Sequence, residues 1–282
     1  MLQERQQLQH NVLCQHRVAV IGCGVMGEAI ISALIAGGRM LPSQIRGGDV
    51  ETGRRAEIGE RYGIEVFSDN RAAVKHADLT MIAVKPYVLD TLLAELSGAF
   101  QPGQIVISIV AGARLDKLEC GLRHREIVRA MPNTPARIGC GTTAWYASTA
   151  IDSGGQLLVE ALLGSLGDAV RVDSESAIDI ATALSGSGPA YVFQIIEAMT
   201  DAGVQLGLSR TTAERLVLGT LGGATRYAQL SGQHPAVLRA AVTTPGGTTA
   251  SGLDALERGG LRVALTDAVI AAHRRAIELG QR

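Results

Sequence analysis

The feature that most constrains the fold of this chain is an apolar strand that leads straight into a glycine-rich turn and then into a helix. The strand covers Arg17–Ile21, and the turn after it reads G-C-G-V-M-G. An Ala/Ile/Leu-rich helix, Ala29–Ala36, follows. This G-x-G-x-x-G pattern predicts a dinucleotide-binding unit, in which the first glycine makes a tight turn, the second lets the backbone reach a pyrophosphate and the third packs helix on strand. The candidate cofactor-binding residues of the turn are Gly22, Cys23, Gly24, Val25, Met26 and Gly27.

An acidic residue in the expected place strengthens this interpretation. Asp49 follows a second strand candidate, Ile45–Arg46, about 20 residues beyond the turn, where dinucleotide-binding folds bind the ribose hydroxyls. A glycine-rich turn that binds no nucleotide is the alternative, but the strand, the helix and Asp49 together favour the dinucleotide site. Asp49 would repel a 2′-phosphate and favours NAD, whereas Arg54 and Arg55 could bind that phosphate instead.

Strand and helix candidates alternate as far as about residue 172, and such βαβ alternation predicts an α/β fold with a doubly wound, mostly parallel sheet. We expect a dinucleotide-binding Rossmann domain over residues 17–173. From residue 174 no convincing strand follows, and Ala, Leu and Gly recur at helical spacing, which predicts an all-helical substrate and dimerisation domain over 174–282. The helix candidates of this half are Ile178–Leu184, Pro189–Gly203, Arg210–Ser231, Pro235–Val242, Thr248–Arg258 and Leu261–Leu279.

Composition excludes several classes of function. A net charge of −1 without a long basic run argues against a nucleic-acid partner. The four cysteines show neither C-x-x-C nor zinc spacing, which predicts reduced thiols in the cytoplasm and no metal site. Glycines and charges interrupt every apolar run before it is long enough for a membrane span. Residues 1–16 are polar, so we expect a frayed N-terminal extension rather than a secretory signal.

A second informative stretch lies near the end of the chain, between two apolar helical segments. It reads T-T-P-G-G-T-T over Thr243–Thr249. Such a sharp connection feeds a helix N-terminus, where unpaired N–H groups and the positive end of the helix dipole favour an anion. A simple helix-capping turn is the alternative interpretation. The candidate substrate-binding residues are Thr244, Gly246, Gly247, Thr248 and Thr249.

Together these stretches resemble one family, the pyrroline-5-carboxylate reductases, over about residues 16 to 280. The resemblance implies hydride transfer from NAD(P)H to the C=N carbon of Δ1-pyrroline-5-carboxylate, which gives L-proline in the last step of proline biosynthesis. The blocks that match the family in order and spacing are V-A-V-I-G-C-G-V-M-G-E-A-I (18–30), A-V-K-P (83–86), I-V-A-G (109–112), M-P-N-T-P (131–135), A-L-S-G-S-G-P-A-Y (183–191), D-A-G-V-Q-L-G-L (201–208) and T-T-P-G-G-T-T (243–249). The last two of these blocks are far more specific than the glycine-rich turn.

The resemblance also implies roles for individual residues. Thr249 becomes the catalytic candidate because its hydroxyl can bond the ring nitrogen, and hydride transfer asks the protein for little beyond alignment. Asn70 stands where the family contacts the ribose on the adenine side. The other cofactor-lining candidates are Ala83, Val84, Lys85, Pro86, Ala111, Gly112, Asn133 and Thr134.

Family preference indicates NADP(H) as the cofactor, with NAD(H) as the alternative. The resemblance also implies a homodimer as the minimum unit, able to build a larger ring of dimers. In that dimer the substrate turn of one subunit lies beside the nicotinamide of the other. Two other classes stay open. Another Rossmann imine reductase or β-hydroxyacid dehydrogenase would use a catalytic lysine or an Asp/Tyr on the central helix, and Lys117 is the last lysine here. A non-catalytic NADP-binding regulatory protein would have lost the T-T-P-G-G-T-T turn, which is intact.

Overall fold

The computed structural model describes residues 12–36 and 38–281. Within these residues, a sheet of eight strands forms the centre of the N-terminal part of the chain. The strands are β1 Val18–Ile21, β2 Ile45–Gly48, β3 Glu65–Phe67, β4 Leu79–Ile82, β5 Ile105–Ser108, β6 Ile127–Met131, β7 Gly141–Ala147 and β8 Gly167–Arg171.

The order of the strands across the sheet is β3-β2-β1-β4-β5-β6-β7-β8. The first six strands pair in parallel, with Val18 of β1 opposite Ile45 of β2 on one side and Leu79 of β4 on the other. Strand β7 is antiparallel to β6, and β8 runs parallel to β7. The order 3-2-1-4-5-6 is that of doubly wound dinucleotide-binding sheets. The expected Rossmann-like, mostly parallel sheet is therefore confirmed.

Apolar cores cover both faces of this sheet. Along β1, Val18 and Val20 belong to one buried cluster, whereas Ala19 and Ile21 belong to another. Because successive side chains of a strand point to opposite faces, an uninterrupted apolar strand must be covered on both sides. The V-A-V-I sequence of β1 meets this requirement, since all four residues are buried.

Helices pack against these two faces. Three of them are not among the helices predicted from the sequence: Leu89–Leu96 (α4), Leu115–Leu122 (α5) and Ser153–Leu163 (α6). Five shorter helical segments are Pro42–Gln44, Pro86–Val88, Thr134–Ile138, Gly164–Leu166 and the π-helical turn Thr182–Gly186. The α-helices are α1 Val25–Ala36, α2 Thr52–Tyr62, α3 Asn70–Val74, α4 Leu89–Leu96, α5 Leu115–Leu122, α6 Ser153–Leu163 and α7 Ser176–Ala181.

Contacts divide the described chain into two compact units. The first unit contains the sheet and extends to Ser187, and residues from Ala272 onward also belong to it. The second unit covers Gly188–Ala271. The domain boundary expected between residues 173 and 174 stays a prediction.

The second unit is helical throughout. Two of its helices, Arg210–Ser231 (α9) and Thr248–Arg258 (α11), have the bounds predicted from the sequence. The Ser209 hydroxyl accepts a hydrogen bond from the N–H of Thr212 at 3.2 Å and caps α9, which ends at Gly232 in the left-handed conformation. His234 caps the helix Pro235–Ala241 (α10) by accepting from the N–H of Ala236 at 3.2 Å. The helices are α8 Gly188–Gln205, α9 Arg210–Ser231, α10 Pro235–Ala241, α11 Thr248–Arg258 and α12 Leu261–Gly280, whose last residues lie in the first unit.

Residues 1–11 of the expected N-terminal extension, residues 1–16, lie outside the described residues. Of its described part, Leu13 is fully buried. The side-chain amide of Gln44 donates to the carbonyls of Cys14 and His16 at 2.7 and 3.0 Å. These contacts fasten residues 13–16 to the first unit. No helix in the described ranges combines the length and the apolar character needed to cross a bilayer.

Candidate functional site

A cleft of about 450 Å³ opens where β1, β2 and β4 end. Ligands of doubly wound folds bind at this carboxyl edge of the sheet. Most of the residues predicted to bind a cofactor line the cleft together, although they come from widely separated parts of the chain. They are Gly22, Gly24, Val25, Met26, Asp49, Arg54, Asn70, Ala83, Val84 and Lys85.

The three glycines of the G-x-G-x-x-G turn differ in what surrounds them. Gly22 has a φ of 90°, and a Cβ atom there would lie 2.9 Å from the carbonyl oxygen of Ala83. A Cβ atom on Gly27 would collide with the carbonyl oxygen of Gly22. Gly24 is exposed, and no atom lies within 4 Å of its Cβ position. Gly22 and Gly27 thus build the turn. Gly24 leaves open space beside the N-terminus of α1, where the helix dipole favours an anion.

Asp49 ties the glycine turn to the end of β2. Its Oδ2 accepts a hydrogen bond from the N–H of Cys23 at 2.8 Å, and its Oδ1 accepts one from the N–H of Glu51 at 2.9 Å. The N–H of Gly22 also donates to the carbonyl of Gly48 at 2.8 Å. The Asp49 carboxylate therefore enters the cleft already oriented by two backbone donors.

The Cys23 side chain points into the core, so this residue can meet a ligand only through its backbone. The side chain is fully buried. Burial, reinforced by the negative charge of Asp49, raises the pKa of the Cys23 thiol to about 12. The thiol accordingly stays protonated and inert at neutral pH.

The two arginines that could meet a 2′-phosphate are held by oxygen atoms of the chain itself. Arg54 donates from Nε to the carbonyl of Cys23 at 2.7 Å, and its two terminal nitrogens bind Glu28 and Glu57. Arg55 donates to the carbonyls of Asp49 and Val50 and to the Thr52 hydroxyl. Arg54 lines the cleft, so any phosphate it bound would share the guanidinium with two carboxylates.

Glu28 is the centre of this charged network beside the glycine turn. Its carboxylate accepts hydrogen bonds from Arg54, Arg61 and Tyr62. Burial is the largest single influence on its pKa and raises it, but the three hydrogen bonds together outweigh burial and lower the pKa of Glu28 below its usual range. The carboxylate is thus held in its charged form.

Asn70 and Glu95 form a pair that lines the cleft. Glu95 accepts hydrogen bonds from the backbone N–H of Asn70 at 3.1 Å and from its side-chain nitrogen at 2.9 Å. The Asn70 oxygen Oδ1 is buried and has no partner among the described residues. Glu95, Tyr87 and Thr91 also line the cleft and were missed from the sequence. Their only signal was the helical spacing of leucines that follows the A-V-K-P block.

Other predicted cofactor residues are not part of this cleft lining. Pro86 begins the short helical segment Pro86–Val88, and Ala111 is half-buried. Gly112 has a φ of 76°, and a Cβ atom there would lie 2.9 Å from the carbonyl of Leu279, so its smallness serves packing against the end of α12.

Asn133 and Thr134 lie at the end of β6, also away from this lining. The Asn133 side chain accepts from the N–H of Thr142 at 2.9 Å and donates to the carbonyl of Ser185 at 3.2 Å. It therefore joins β7 to the π-helical turn. Thr134 is exposed at the start of the segment Thr134–Ile138.

The predicted substrate turn lies in the second unit and joins α10 to α11, as expected. The N–H of Gly247 donates to the carbonyl of Thr244 at 3.0 Å, and Gly246 has a φ of 70°. A Cβ atom on Gly247 would collide with the Thr244 hydroxyl. The first intrahelical bond runs from Ser251 N–H to Gly247, which leaves the preceding N–H groups at Thr248 and Thr249 facing outward from the helix end. The turn can therefore accept an anion.

Thr249 is half-buried, as are Thr243 and Gly247 of the same turn. Its hydroxyl forms no hydrogen bond within the described part of the chain, so it is available to a ligand. Elsewhere in residues 12–36 and 38–281, no group of three or more His, Cys, Asp or Glu side chains is arranged to hold a metal ion.

Comparison with known proteins gives matches for both parts of the chain. A family model described as pyrroline-5-carboxylate reductase dimerisation matches residues 175–279. A second model, described as NADP oxidoreductase, coenzyme F420-dependent, matches residues 17–112. An N-terminal and a C-terminal segment of the chain thus each match a family model.

Single relatives match over nearly the whole length. A pyrroline-5-carboxylate reductase of Synechocystis sp. is 41% identical over 94% of this chain and 99% of its own. The structure of a pyrroline-5-carboxylate reductase from Coxiella burnetii superposes with a TM-score of 0.88 at 37% identity, covering 94% of this chain and 98% of that one. The Plasmodium falciparum pyrroline carboxylate reductase with NADP bound gives a TM-score of 0.85 at 30% identity, covering 94% and 98%.

Proposed function

The chain belongs to the pyrroline-5-carboxylate reductase family, and on that premise we propose that it reduces Δ1-pyrroline-5-carboxylate to L-proline with NAD(P)H, the last step of proline biosynthesis. The observation that carries the proposal to this chain's own residues is the intact T-T-P-G-G-T-T turn in front of α11. A small substrate with one carboxylate needs an anion site, and this helix N-terminus offers backbone donors for it. The two alternative classes considered from the sequence are not favoured.

The residues of the cleft fit a nicotinamide dinucleotide. Gly24 leaves open space beside the N-terminus of α1, where the backbone of residues 22–27 would hold a pyrophosphate. The unpartnered oxygen of Asn70 and the carboxylate of Asp49 would accept hydrogen bonds from ribose hydroxyls. NAD(P)H supplies the hydride when it is bound. The preference for NADPH over NADH stays a prediction.

Thr249 is the residue to which we assign a direct role in catalysis. Its hydroxyl would bond the imine nitrogen and strengthen that bond as the nitrogen changes from sp² to sp³ during the reduction. The N–H groups of Thr248 and Thr249, with the Thr244 hydroxyl and the glycines between them, would hold the carboxylate and align the ring. Aligning the two reactants is the main requirement, since hydride transfer needs no nucleophile from the protein.

Oxidation of NADPH or NADH, followed with the purified chain, tests the proposal. We expect turnover with Δ1-pyrroline-5-carboxylate and little with Δ1-pyrroline, which lacks the carboxylate. Equal kcat/KM for the two imines would contradict the anion site at the turn. No turnover of either imine with either cofactor would contradict the proposed reaction itself.

The chain forms an oligomer through its helical part, which matches a dimerisation model. We propose a homodimer as the minimum unit, able to assemble into a ring of dimers in the cytoplasm. Large apolar side chains exposed on the second unit, among them Leu218, Tyr227 and Leu230, support burial between subunits. An obligate interface of this kind buries more than about 2,000 Å². A fully active monomer in sedimentation at assay concentration would overturn the dimer.

A further inference from the structure

Glu95 holds Asn70 through two hydrogen bonds beside the end of β2. One carboxylate oxygen accepts from the backbone N–H of Asn70 at 3.1 Å, and the other accepts from its side-chain nitrogen Nδ2 at 2.9 Å. Arg71 donates from Nε to the carbonyl of Glu95 at 2.6 Å and from a terminal nitrogen to the carbonyl of Ser97 at 2.9 Å. These bonds fix the end of α4 that carries Glu95, so the pair is held from both sides.

The chemistry of this pair decides which way the Asn70 amide faces. An ionised carboxylate only accepts hydrogen bonds, so the amide nitrogen must face Glu95 and the amide oxygen must face away. That oxygen is buried without a partner among the described residues. It lies 2.6 Å from the position that a Cβ atom on Gly48 would take, directly before Asp49. A buried acceptor without a partner is costly, which points to a donor supplied by a ligand of the cleft.

Of the charged groups at this end of the sheet, a carboxylate shares the preference of the Asn70 oxygen for a donor, and the nearby arginines are already engaged as donors. Asp49 presents a carboxylate, and the guanidinium groups of Arg54 and Arg55 are bonded to oxygen atoms of the chain. A ribose with a free 2′-hydroxyl, as in NADH, can donate that hydroxyl to the Asn70 oxygen. A 2′-phosphate has only acceptor oxygens at neutral pH and is repelled by it.

We propose that Glu95 is a positioning residue that fixes the Asn70 amide with its oxygen toward the ribose, and that it thereby lowers the selectivity of the cleft for NADPH over NADH. The inference rests on the proposed binding of a nicotinamide dinucleotide in this cleft. Glu95 acts through Asn70 and touches neither the hydride donor nor the imine.

The substitution Glu95→Gln tests this role. Glutamine can donate as well as accept, so it allows the Asn70 amide to turn over and present its nitrogen to the ribose. We expect the ratio of the Kd for NADH to the Kd for NADPH to rise roughly tenfold, which corresponds to about one hydrogen bond to a charged group. Both constants are measured from cofactor fluorescence without substrate. Asp90→Asn, on the exposed surface of the same helix where Asp90 pairs with Lys117, is the matched control and should not change the ratio.

A double-mutant cycle separates positioning from a general structural effect. In an Asn70→Ala background, Glu95→Gln should leave the ratio unchanged, because its effect acts through the amide. An unchanged ratio in Glu95→Gln itself, or an equal change in the Asn70→Ala background, would overturn the proposal. Partial unfolding cancels from a ratio of two constants measured on the same sample.

Asn70→Ala alone provides the second test if Glu95→Gln does not fold. Removing the acceptor should weaken NADH more than NADPH, and an equal loss for both would overturn the proposal. The fate of the proposed reaction is read separately. A chain that binds both cofactors with the expected ratios but does not reduce Δ1-pyrroline-5-carboxylate would contradict the proposed function and leave the role of Glu95 intact.

Discussion

The carbonyl oxygen of Gly22 occupies the space that a Cβ atom on Gly27 would need. The first and last glycines of the turn are thus in direct contact, whereas the middle one, Gly24, has no neighbour within 4 Å of its Cβ position. Of the three glycines in this pattern, Gly22 and Gly27 therefore serve the fold and Gly24 serves the ligand.

Alanine substitutions should separate these two roles. Gly27→Ala must displace the Gly22 backbone, and we expect a loss of about 3 kcal/mol or more in the free energy of unfolding. Gly24→Ala should keep the stability of the parent chain but weaken cofactor binding, since a methyl group would enter the space proposed for the pyrophosphate. Urea unfolding and cofactor fluorescence measure the two effects. Equal stability losses in the two variants would contradict this division.

Arg129 of β6 provides a test of a buried ion pair. It is 3% exposed and binds Glu175 at 2.7 Å and Asp179 at 3.1 Å. Arg129→Met leaves both carboxylates without their counter-charge, and we expect a loss of about 3–5 kcal/mol in stability. Arg258→Met, which breaks the exposed pair with Asp254, should change stability by less than about 1 kcal/mol. Similar losses in urea unfolding for both variants would show that burial does not matter here.

The Cys23 thiol should be silent in the folded chain. With a pKa of about 12, only about one thiol in 10,000 is ionised at pH 8. A thiol-disulfide reagent at pH 8 should therefore titrate three cysteines, the exposed Cys14, Cys120 and Cys140, and a fourth only after unfolding. Cys23→Ser should reduce the count by one in denaturant and not at all in buffer. Rapid loss of four thiols from the native protein would contradict the burial.

Glu28 should contribute to the acid sensitivity of the fold. The pKa of Glu28 is lower in the folded chain than in the unfolded chain. Its charged form therefore stabilises the fold at pH values above the range in which carboxyl groups usually titrate, and this contribution is lost as the pH falls. Glu28→Gln should give a Tm that falls less steeply than that of the parent chain as the pH is lowered from 4.5 downward. Glu60→Gln, on an exposed position of α2, is the control. Parallel Tm profiles for the parent chain and Glu28→Gln would refute the contribution.

Thr249→Ala should affect catalysis without affecting the cofactor. Removing the hydroxyl proposed to bond the imine nitrogen should lower kcat/KM. The expected loss of transition-state stabilisation is about 1–3 kcal/mol, the range for leaving a polar partner unpaired. Thr249→Ser should retain most of the activity. Thr248→Ala, one residue earlier and exposed, keeps the backbone N–H assigned to the carboxylate and should change kcat/KM little. A rise in the Kd for NADPH in Thr249→Ala would relocate the residue to the cofactor site.

Local chemistry explains why part of the fold could be predicted. Arg210–Ser231 has a serine cap before it and a glycine after it, and its predicted bounds agree with the structure. Helix α4 carries buried leucines at positions 89, 92, 93 and 96, a helical spacing, but it is short and lies among strands. Helix α6 begins at Ser153 with two glycines that resemble a loop, although Asp152 caps it by accepting from Gly155 at 2.8 Å. Helices were therefore missed where they are short, as in α4, or where glycines obscure a capped start, as in α6.

Site residues that belong to a sequence motif were predicted. Site residues that only the tertiary fold brings together were missed. The glycine turn, Asp49 and the residues after β4 follow strands, and all of them were predicted as cofactor-binding candidates. Glu95 comes from the last turn of α4, and nothing in its sequence neighbourhood relates it to Asn70, 25 residues earlier. Arg129 likewise meets Glu175 and Asp179 only because α7 packs on the sheet. Pairings at such sequence separation depend on tertiary contacts.

The close approach of Gly112 to Leu279 has a consequence for how the chain is made. Residues from Ala272 onward belong to the unit that contains the sheet, although the whole helical unit is synthesised between them and Ser187. On the ribosome, the sheet-containing unit therefore waits for the end of α12 before its packing is complete. Translation that stops within α12 would release a nascent chain in which the surface around Gly112 lacks its covering helix and becomes a target for chaperones and proteases.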